Sequence, residues 1–153
     1  MEKEFVPYEL ALELKQLGFD EPCLAVTHKD GSLMFMTHQM TKDEQSDYLP
    51  TITNSECMWE DDDGGIQEVA TPTYSSAFRW FREKYDIHYS INRECSQHDH
   101  KWGYNWSLYN YTGTFDEYLT SHPDAPAGEW VYETHEEAEL ACLRKLIETV
   151  KEK

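Results

Sequence analysis

The sequence predicts an α+β fold, a single domain in which about three helices pack on a small antiparallel sheet. Three observations lead to this prediction. Apolar residues recur at helical spacing after Thr73 and again after Thr134. Residues 102–108 alternate with a period of two, as expected for a strand. Two short apolar runs flank Asp30-Gly31, which is typical of a β-hairpin. The predicted order is α-ββ-α-ββ(β)-α.

The first predicted helix covers residues 7–17. Pro7 suits the first turn of a helix, because its missing N–H would have no partner there. Three leucines fall on one face, at positions 10, 14 and 17. Gly18 follows and suits the left-handed conformation that ends many helices. The predicted hairpin around Asp30-Gly31 comes next.

Residues 38–70 differ from the rest of the chain in composition. They contain nine acidic residues and one basic residue, Lys42. Pro50 and Gly64-Gly65 interrupt the span further. We therefore expect a long acidic loop or insertion, with at most a short strand near Ile52 or at residues 66–70. Loops of this length are uncommon in compact domains and are often functional.

A central helix is predicted over residues 73–85. Its apolar stripe consists of Tyr74, Ala77, Phe78, Phe81 and Tyr85. Trp80 lies off this stripe, so we expect it to be partly exposed. Arg79, Arg82 and Lys84 form the one basic cluster of the sequence.

Strands are predicted on both sides of a polar connection. Residues 88–93 form the first strand, residues 94–100 the connection, and residues 102–111 the second strand with one aromatic face. Tyr109 and Tyr111 fall on the opposite face of that strand. Residues 114–127 contain two prolines and are predicted to be mostly irregular, and residues 130–133 to form a last short strand.

The clearest helix is at the C-terminal end. Thr134 and Glu137 have the spacing of a capping box, and acidic residues at the start and lysines toward the end complement the helix dipole. The segments that begin at Thr73 and Thr134 share a threonine cap, an alanine four residues on and a lysine eleven on. Either a ββα unit is repeated, or two amphipathic helices share a common start signal.

Composition excludes several classes of function. The chain has 153 residues, of which 30 are acidic and 13 basic, giving a formal charge of −17. Such a chain is a poor candidate for a groove that binds phosphates or for an anionic membrane surface. No apolar run approaches the length of a membrane span, and the N-terminal residues do not resemble a signal peptide. The four cysteines are widely spaced, so we expect free thiols and a cytoplasmic location.

Two patterns suggest metal binding. Cys95, His98 and His100 place one thiol and two imidazoles within six residues, a donor set that suits zinc. A structural zinc motif usually has two separated ligand pairs, and this one does not. The acidic run Glu60, Asp61, Asp62 and Asp63 precedes Gly64-Gly65, but an EF-hand would also require a glutamate where Thr71 stands. A solvated acidic surface is therefore the better interpretation of the run.

The sequence shows no signature of catalysis. It contains neither G-x-S-x-G nor H-E-x-x-H, and its seven glycines are scattered rather than gathered in a phosphate-binding loop. Acidic residues are so numerous that the presence of a carboxylate pair is uninformative. We therefore do not expect an enzyme.

Three segments resemble a family of small uncharacterised proteins encoded by phages and prophage-like elements of gut bacteria. The segments are PYELALELKQLGFDEPCLAV, TYSSAFRWFREKYDIHYSI and THEEAELACLRKLIETVKEK. They cover roughly a third to a half of the chain, in the matching order. The resemblance implies a soluble protein that acts inside an infected or lysogenic bacterium. It transfers no catalytic residue.

Three functional hypotheses follow. The first is a non-enzymatic accessory protein that binds a host or defence protein through Arg79, Trp80, Arg82, Tyr109 and Tyr111. Homo-oligomers are compatible with this hypothesis, with Trp80 or the Tyr109 face as the contact. Exposed tryptophan and tyrosine are typical of interface anchors. The second is an acidic nucleic-acid mimic that occupies a DNA-binding site. The third is a small zinc-containing protein or enzyme that uses Cys95, His98 and His100.

Overall fold

The α+β fold class is confirmed by a computed structural model, which describes residues 2–36, 51–57, 67–96, 100–111, 116–121 and 131–152. The chain divides into two compact units, Met1–Thr73 and Tyr74–Lys153. Each contains a three-stranded antiparallel sheet. No helix in the described part of the chain is long and apolar enough to cross a membrane.

The first unit contains one α-helix and three short strands. A 3-10 helix, Glu2–Glu4, comes first. Helix α1 is Tyr8–Gln16, and the strands are β1 (Ala25–His28), β2 (Leu33–Phe35) and β3 (Glu68–Thr71). Their order in the sheet is β2-β1-β3. Gly18 and Gly31 both have a φ of +85°, as expected at the end of a helix and in a tight hairpin turn.

The first helix and the hairpin of this unit are confirmed. Within the predicted acidic loop, β3 occupies the region expected for a short strand, and Ile52 pairs with Cys23 in an isolated bridge.

A buried asparagine fixes the connection before β3. Asn54 is 6% exposed. Its side-chain amide donates to the Phe19 carbonyl at 2.8 Å, and its side-chain oxygen accepts the N–H of Ala70 at 3.1 Å. One side chain thus ties the end of the α1 segment to β3 by hydrogen bonds to two backbone groups.

The second unit contains two helices and a longer sheet. Its elements are α2 (Tyr74–Tyr85), β4 (Ile87–Cys95), β5 (Trp102–Tyr111), β6 (Asp116–Ser121) and α3 (His135–Lys151). The sheet order is β4-β5-β6. Asp86 turns the chain from α2 into β4 with a φ of +53°. Both helices pack on one sheet face, where Phe78 stacks on Tyr89 with ring centroids 3.9 Å apart.

Two predictions for this unit were wrong. Residues 116–121 form β6, although residues 114–127 were predicted to be mostly irregular. Pairing with β5 stabilises this strand, and its short polar sequence alone does not predict it. Residues 130–133 do not form a strand in the described part, where Tyr132 makes a single bridge to Tyr104. Two alternatives were left open for the segments that begin at Thr73 and Thr134. The two sheets differ in strand order, which favours a shared helix start signal over a repeated ββα unit.

Replacing Asn54 with alanine should destabilise the protein by about 2–4 kcal/mol, because the Phe19 carbonyl and the Ala70 N–H lose their buried partner. The free energy of unfolding in urea measures this. Asn92→Ala is the matched control, since Asn92 is exposed and should cost no more than about 0.5 kcal/mol. Equal losses in the two variants would contradict the role assigned to Asn54.

Candidate functional site

Helix α3 has two faces with different environments. Its first face is fully buried and consists of Ala138, Cys142, Leu143, Leu146 and Ile147. A second face lines an open groove with a volume of about 520 Å³. The α3 residues in the groove are Glu137, Leu140, Ala141, Arg144, Lys145 and Glu148, and Trp106 and Tyr132 form the opposite wall. Residues spaced in this way share one side of a helix. We call this the α3 groove.

The aromatic wall is held by hydrogen bonds. Trp106 lies on β5 and is 3% exposed, and its indole N–H donates to the Tyr132 hydroxyl at 3.3 Å. Tyr132 is held in turn by two backbone hydrogen bonds with Tyr104, at 2.8 and 3.1 Å. The Val131 N–H donates to the Asn105 side chain at 3.0 Å. The wall is therefore formed before any partner binds.

The charged side chains of the groove differ in whether they already have a partner within the chain. Lys145 pairs with Glu148 at 3.1 Å. Glu137 Oε2 accepts the backbone N–H groups of Thr134 and Glu133, which completes the predicted capping box. Arg144 is exposed and makes no hydrogen bond or ion pair with any residue that the structure describes. The groove thus combines an apolar floor with one cation able to bind a carboxylate.

The predicted binding residues are not brought together. Arg79 and Arg82 are exposed on α2, which packs against the sheet face that contains Tyr89. Tyr109 lies on the opposite face, where its ring stacks on His88 with centroids 5.7 Å apart. Tyr111 ends β5, and its side chain lies outside the described residues.

The prediction that Trp80 is partly exposed was wrong. Trp80 is 6% exposed, and its ring makes edge contacts with Phe81 and Tyr85 at centroid distances of 5.0 and 5.4 Å. The Lys84 ammonium lies 4.6 Å from the centre of the indole ring. The buried side of α2 is thus wider than the stripe that the spacing predicted, and Trp80 belongs to the core rather than to an interface.

The zinc prediction is only partly within the described residues. Cys95 is the last residue of β4 rather than part of a turn, and its thiol donates to the Ser96 carbonyl at 3.7 Å. His100 has a φ of +56°, and its backbone N–H donates to the Ser96 carbonyl. His98 lies outside the described residues, as does the acidic run at residues 60–63. The zinc site and the acidic surface at residues 60–63 therefore stay predictions. The described residues contain no group of three or more potential metal ligands.

Three of the four thiols are poor nucleophiles in the folded protein. Burial raises the pKa of Cys23 to about 12, and the nearby Cys57 thiol adds to this effect. Burial also raises the pKa of Cys57 and of Cys142 above the ordinary value. Cysteine chemistry requires the thiolate, so these three residues act as small apolar side chains.

A larger cavity in the first unit is a weaker candidate. It has a volume of about 620 Å³ and lies between the start of α1 and the β1–β2 turn. The one buried polar residue in its lining is Thr27, whose hydroxyl is hydrogen-bonded to Thr71 at 2.7 Å. Among the described residues, this cavity therefore offers no unsatisfied buried group to a ligand, whereas the α3 groove offers an aromatic wall and a cation that has no ion pair in the same part of the chain.

Sequence reasoning missed the α3 groove. The helical spacing after Thr134 predicts an apolar stripe that consists of Ala138, Cys142, Leu143, Leu146, Ile147 and Val150. Leu140 and Ala141 are apolar residues outside this stripe, and they were the one signal in the sequence. From the sequence alone, two apolar residues beside a predicted stripe indicate only a wider buried face of the helix. The groove becomes recognisable only when folding places Trp106 and Tyr132 opposite these residues.

Comparison of the chain with protein-family models, curated proteins and solved structures gives no match.

Under native conditions at pH 8, we expect Cys95 to react with a thiol reagent and the other three cysteines to stay protected. Cys95 is half-buried, whereas the other three are buried. Because the pKa of Cys23 is raised to about 12, its thiolate should remain scarce until the pH approaches that value. Colorimetric titration should count one fast thiol, none in Cys95→Ser, and four in the denatured wild type. Fast labelling of Cys23 below pH 10 would contradict this assignment.

Proposed function

We propose that this chain is a non-catalytic accessory protein of a phage or mobile element, and that it binds a host or defence protein through the α3 groove. The observation that supports the proposal is the second face of α3. Leu140 and Ala141 lie there between two aromatic residues and an arginine that has no ion pair among the described residues.

The dimensions of the groove favour a protein segment over a small molecule. Glu137 and Glu148 mark its ends on α3 and are 11 residues apart, which corresponds to about 16 Å along the helix axis. That length matches about three turns of a partner helix. Amphipathic helices commonly bind to other proteins by placing their apolar face in a groove of this kind.

The composition of the groove also favours a protein partner. Tryptophan, tyrosine and arginine are the residues that most often dominate binding energy at protein interfaces. A partner with an apolar side chain beside a carboxylate would cover Leu140 and Ala141 and pair with Arg144. The charge of −17 disfavours nucleic acid as the partner, because phosphates would be repelled over most of the surface.

Charge reversal at the groove should weaken capture of the partner. Arg144→Glu removes a cation that has no ion pair among the described residues and places a second negative charge beside Glu148, so binding should weaken about tenfold or more. Arg79→Glu on exposed α2 is the matched control, because it changes the net charge by the same amount. Affinity purification from lysate of the host bacterium, with mass spectrometry of the captured proteins, measures both.

Three results would contradict the proposed surface or function. Retention of the same partner by Arg144→Glu would exclude the α3 groove. Loss of the partner only in Arg79→Glu would assign binding to α2 instead. The absence of any specific partner for the wild type would count against the function itself.

A second candidate function is an acidic nucleic-acid mimic. The charge of −17 supports it, and the run Glu60, Asp61, Asp62 and Asp63 is its densest part. Carboxylates spaced like phosphates would occupy the DNA-binding site of a basic partner.

Replacing the four carboxylates at residues 60–63 with lysine should weaken binding of such a partner and reduce its dependence on salt, because fewer ion pairs form. A titration of the captured partner at several salt concentrations measures both effects. Four lysines at the exposed residues Glu4, Glu21, Glu133 and Glu152 provide a control with the same net charge. Identical behaviour of the two variants would eliminate mimicry by this run.

A further inference from the structure

The side of α3 that lines the groove has an acidic residue and a basic residue at equal distances from a common midpoint. In chain order the residues are Glu137, then Leu140-Ala141, then Arg144. Its midpoint lies between Leu140 and Ala141. A helix surface with this pattern is complementary to a second copy of itself in the opposite direction.

We propose that the α3 groove binds a second copy of this chain, with the two α3 helices packed antiparallel across a two-fold axis at that midpoint. The proposal rests on the proposed function insofar as it uses the same groove as a docking surface. In this arrangement Arg144 of each copy faces Glu137 of the other. Leu140 faces Ala141 at the centre. Each contact occurs twice, as in any two-fold interface.

The two central charges are available for such contacts. Arg144 is exposed and has no ion pair among the described residues. Glu137 is held in place by the capping box through Oε2, while Oε1 has no hydrogen-bond partner in the described part of the chain. The two residues are seven positions apart, about 10 Å along one helix, and the structure shows no contact between them. An antiparallel second helix brings them together without any rearrangement of α3.

The floor of the groove suits a close helix pair. Ala141 is small, so the axes of two helices can approach to about 8–10 Å at this point. Leu140 of the second copy would then lie against Ala141 and the aromatic wall. Trp106 and Tyr132 are already fixed by their mutual hydrogen bond, so the contact orders few side chains.

The net charge opposes association but does not exclude it. Two chains of charge −17 repel each other at long range. At about 0.15 M salt the screening length is roughly 8 Å, so this repulsion is reduced while direct cation–carboxylate contacts are kept. The geometry therefore points to a reversible dimer that forms at high protein concentration rather than to a permanent one.

Sedimentation equilibrium of the full chain at about 0.15 M salt tests the proposal. The wild type should show a monomer–dimer equilibrium. Arg144→Glu alone and Glu137→Arg alone should each weaken self-association roughly tenfold to a hundredfold, because two attractive pairs become two repulsive ones. An equimolar mixture of these two variants should dimerise again, since each then supplies the charge that the other lacks. Arg79→Glu should dimerise like the wild type.

A second pair of variants guards against misfolding. Glu137 belongs to the capping box, so circular dichroism must show that Glu137→Arg stays folded. If it does not, Arg144→Ala and Arg144→Lys leave the capping glutamate in place. The first variant should weaken self-association and the second should keep it, and equal self-association of the two would overturn the proposal.

Two outcomes would overturn the proposal: a wild type that stays monomeric up to roughly 500 µM, or variants whose mixture associates no better than each alone. The proposed function is tested separately, by whether the protein captures a host protein. A monomeric wild type that still captures a host protein through Arg144 contradicts only the dimer. A dimer that depends on Arg144, without any captured host protein, contradicts only the accessory function.

Discussion

The second unit depends on the burial of α3 against an aromatic sheet face. Five side chains of α3, at positions 138, 142, 143, 146 and 147, are at most 1% exposed. Each large apolar side chain buried in this way contributes about 1.5–3 kcal/mol. The capping box at Thr134 fixes where the helix begins, and so decides which residues face inward. Once those five positions are buried, the residues one step around the helix must face Trp106 and Tyr132, and the groove is a consequence of the same packing.

Much of the fold could be predicted from the sequence because the relevant signals are local. Helical spacing and capping predicted α1, α2 and α3, and Asp30-Gly31 predicted the hairpin between β1 and β2. The errors arose where the determinant is not local. Strand β6 is ordered by its pairing with β5, and the burial of Trp80 depends on how wide a side of α2 the fold covers. The groove was missed for the same reason, since its two walls are remote in sequence.

The charge distribution explains how one acidic surface could discriminate between partners. A charge of −17 sets the long-range field, which repels acidic molecules. In the proposed docking at the groove, short-range contacts would determine which partner binds. Arg144 has no ion pair among the described residues, and Leu140 and Ala141 are apolar. Specificity at such a site comes from a carboxylate placed beside an apolar side chain. A second copy of α3 meets this requirement, as does any partner helix with the same pattern.

The central claim is that the second face of α3 is a docking surface. Two-dimensional ¹H–¹⁵N NMR spectra of the full chain, recorded between roughly 20 and 500 µM, test it most directly. We predict concentration-dependent shifts of the Trp106 indole N–H and of the backbone amides of Leu140, Ala141 and Arg144, with His88 and Tyr109 unchanged. If the shifts appear instead at His88 and Tyr109, on the opposite face of the sheet, the surface is misassigned. If no signal moves with concentration or on addition of a captured host protein, the claim is contradicted.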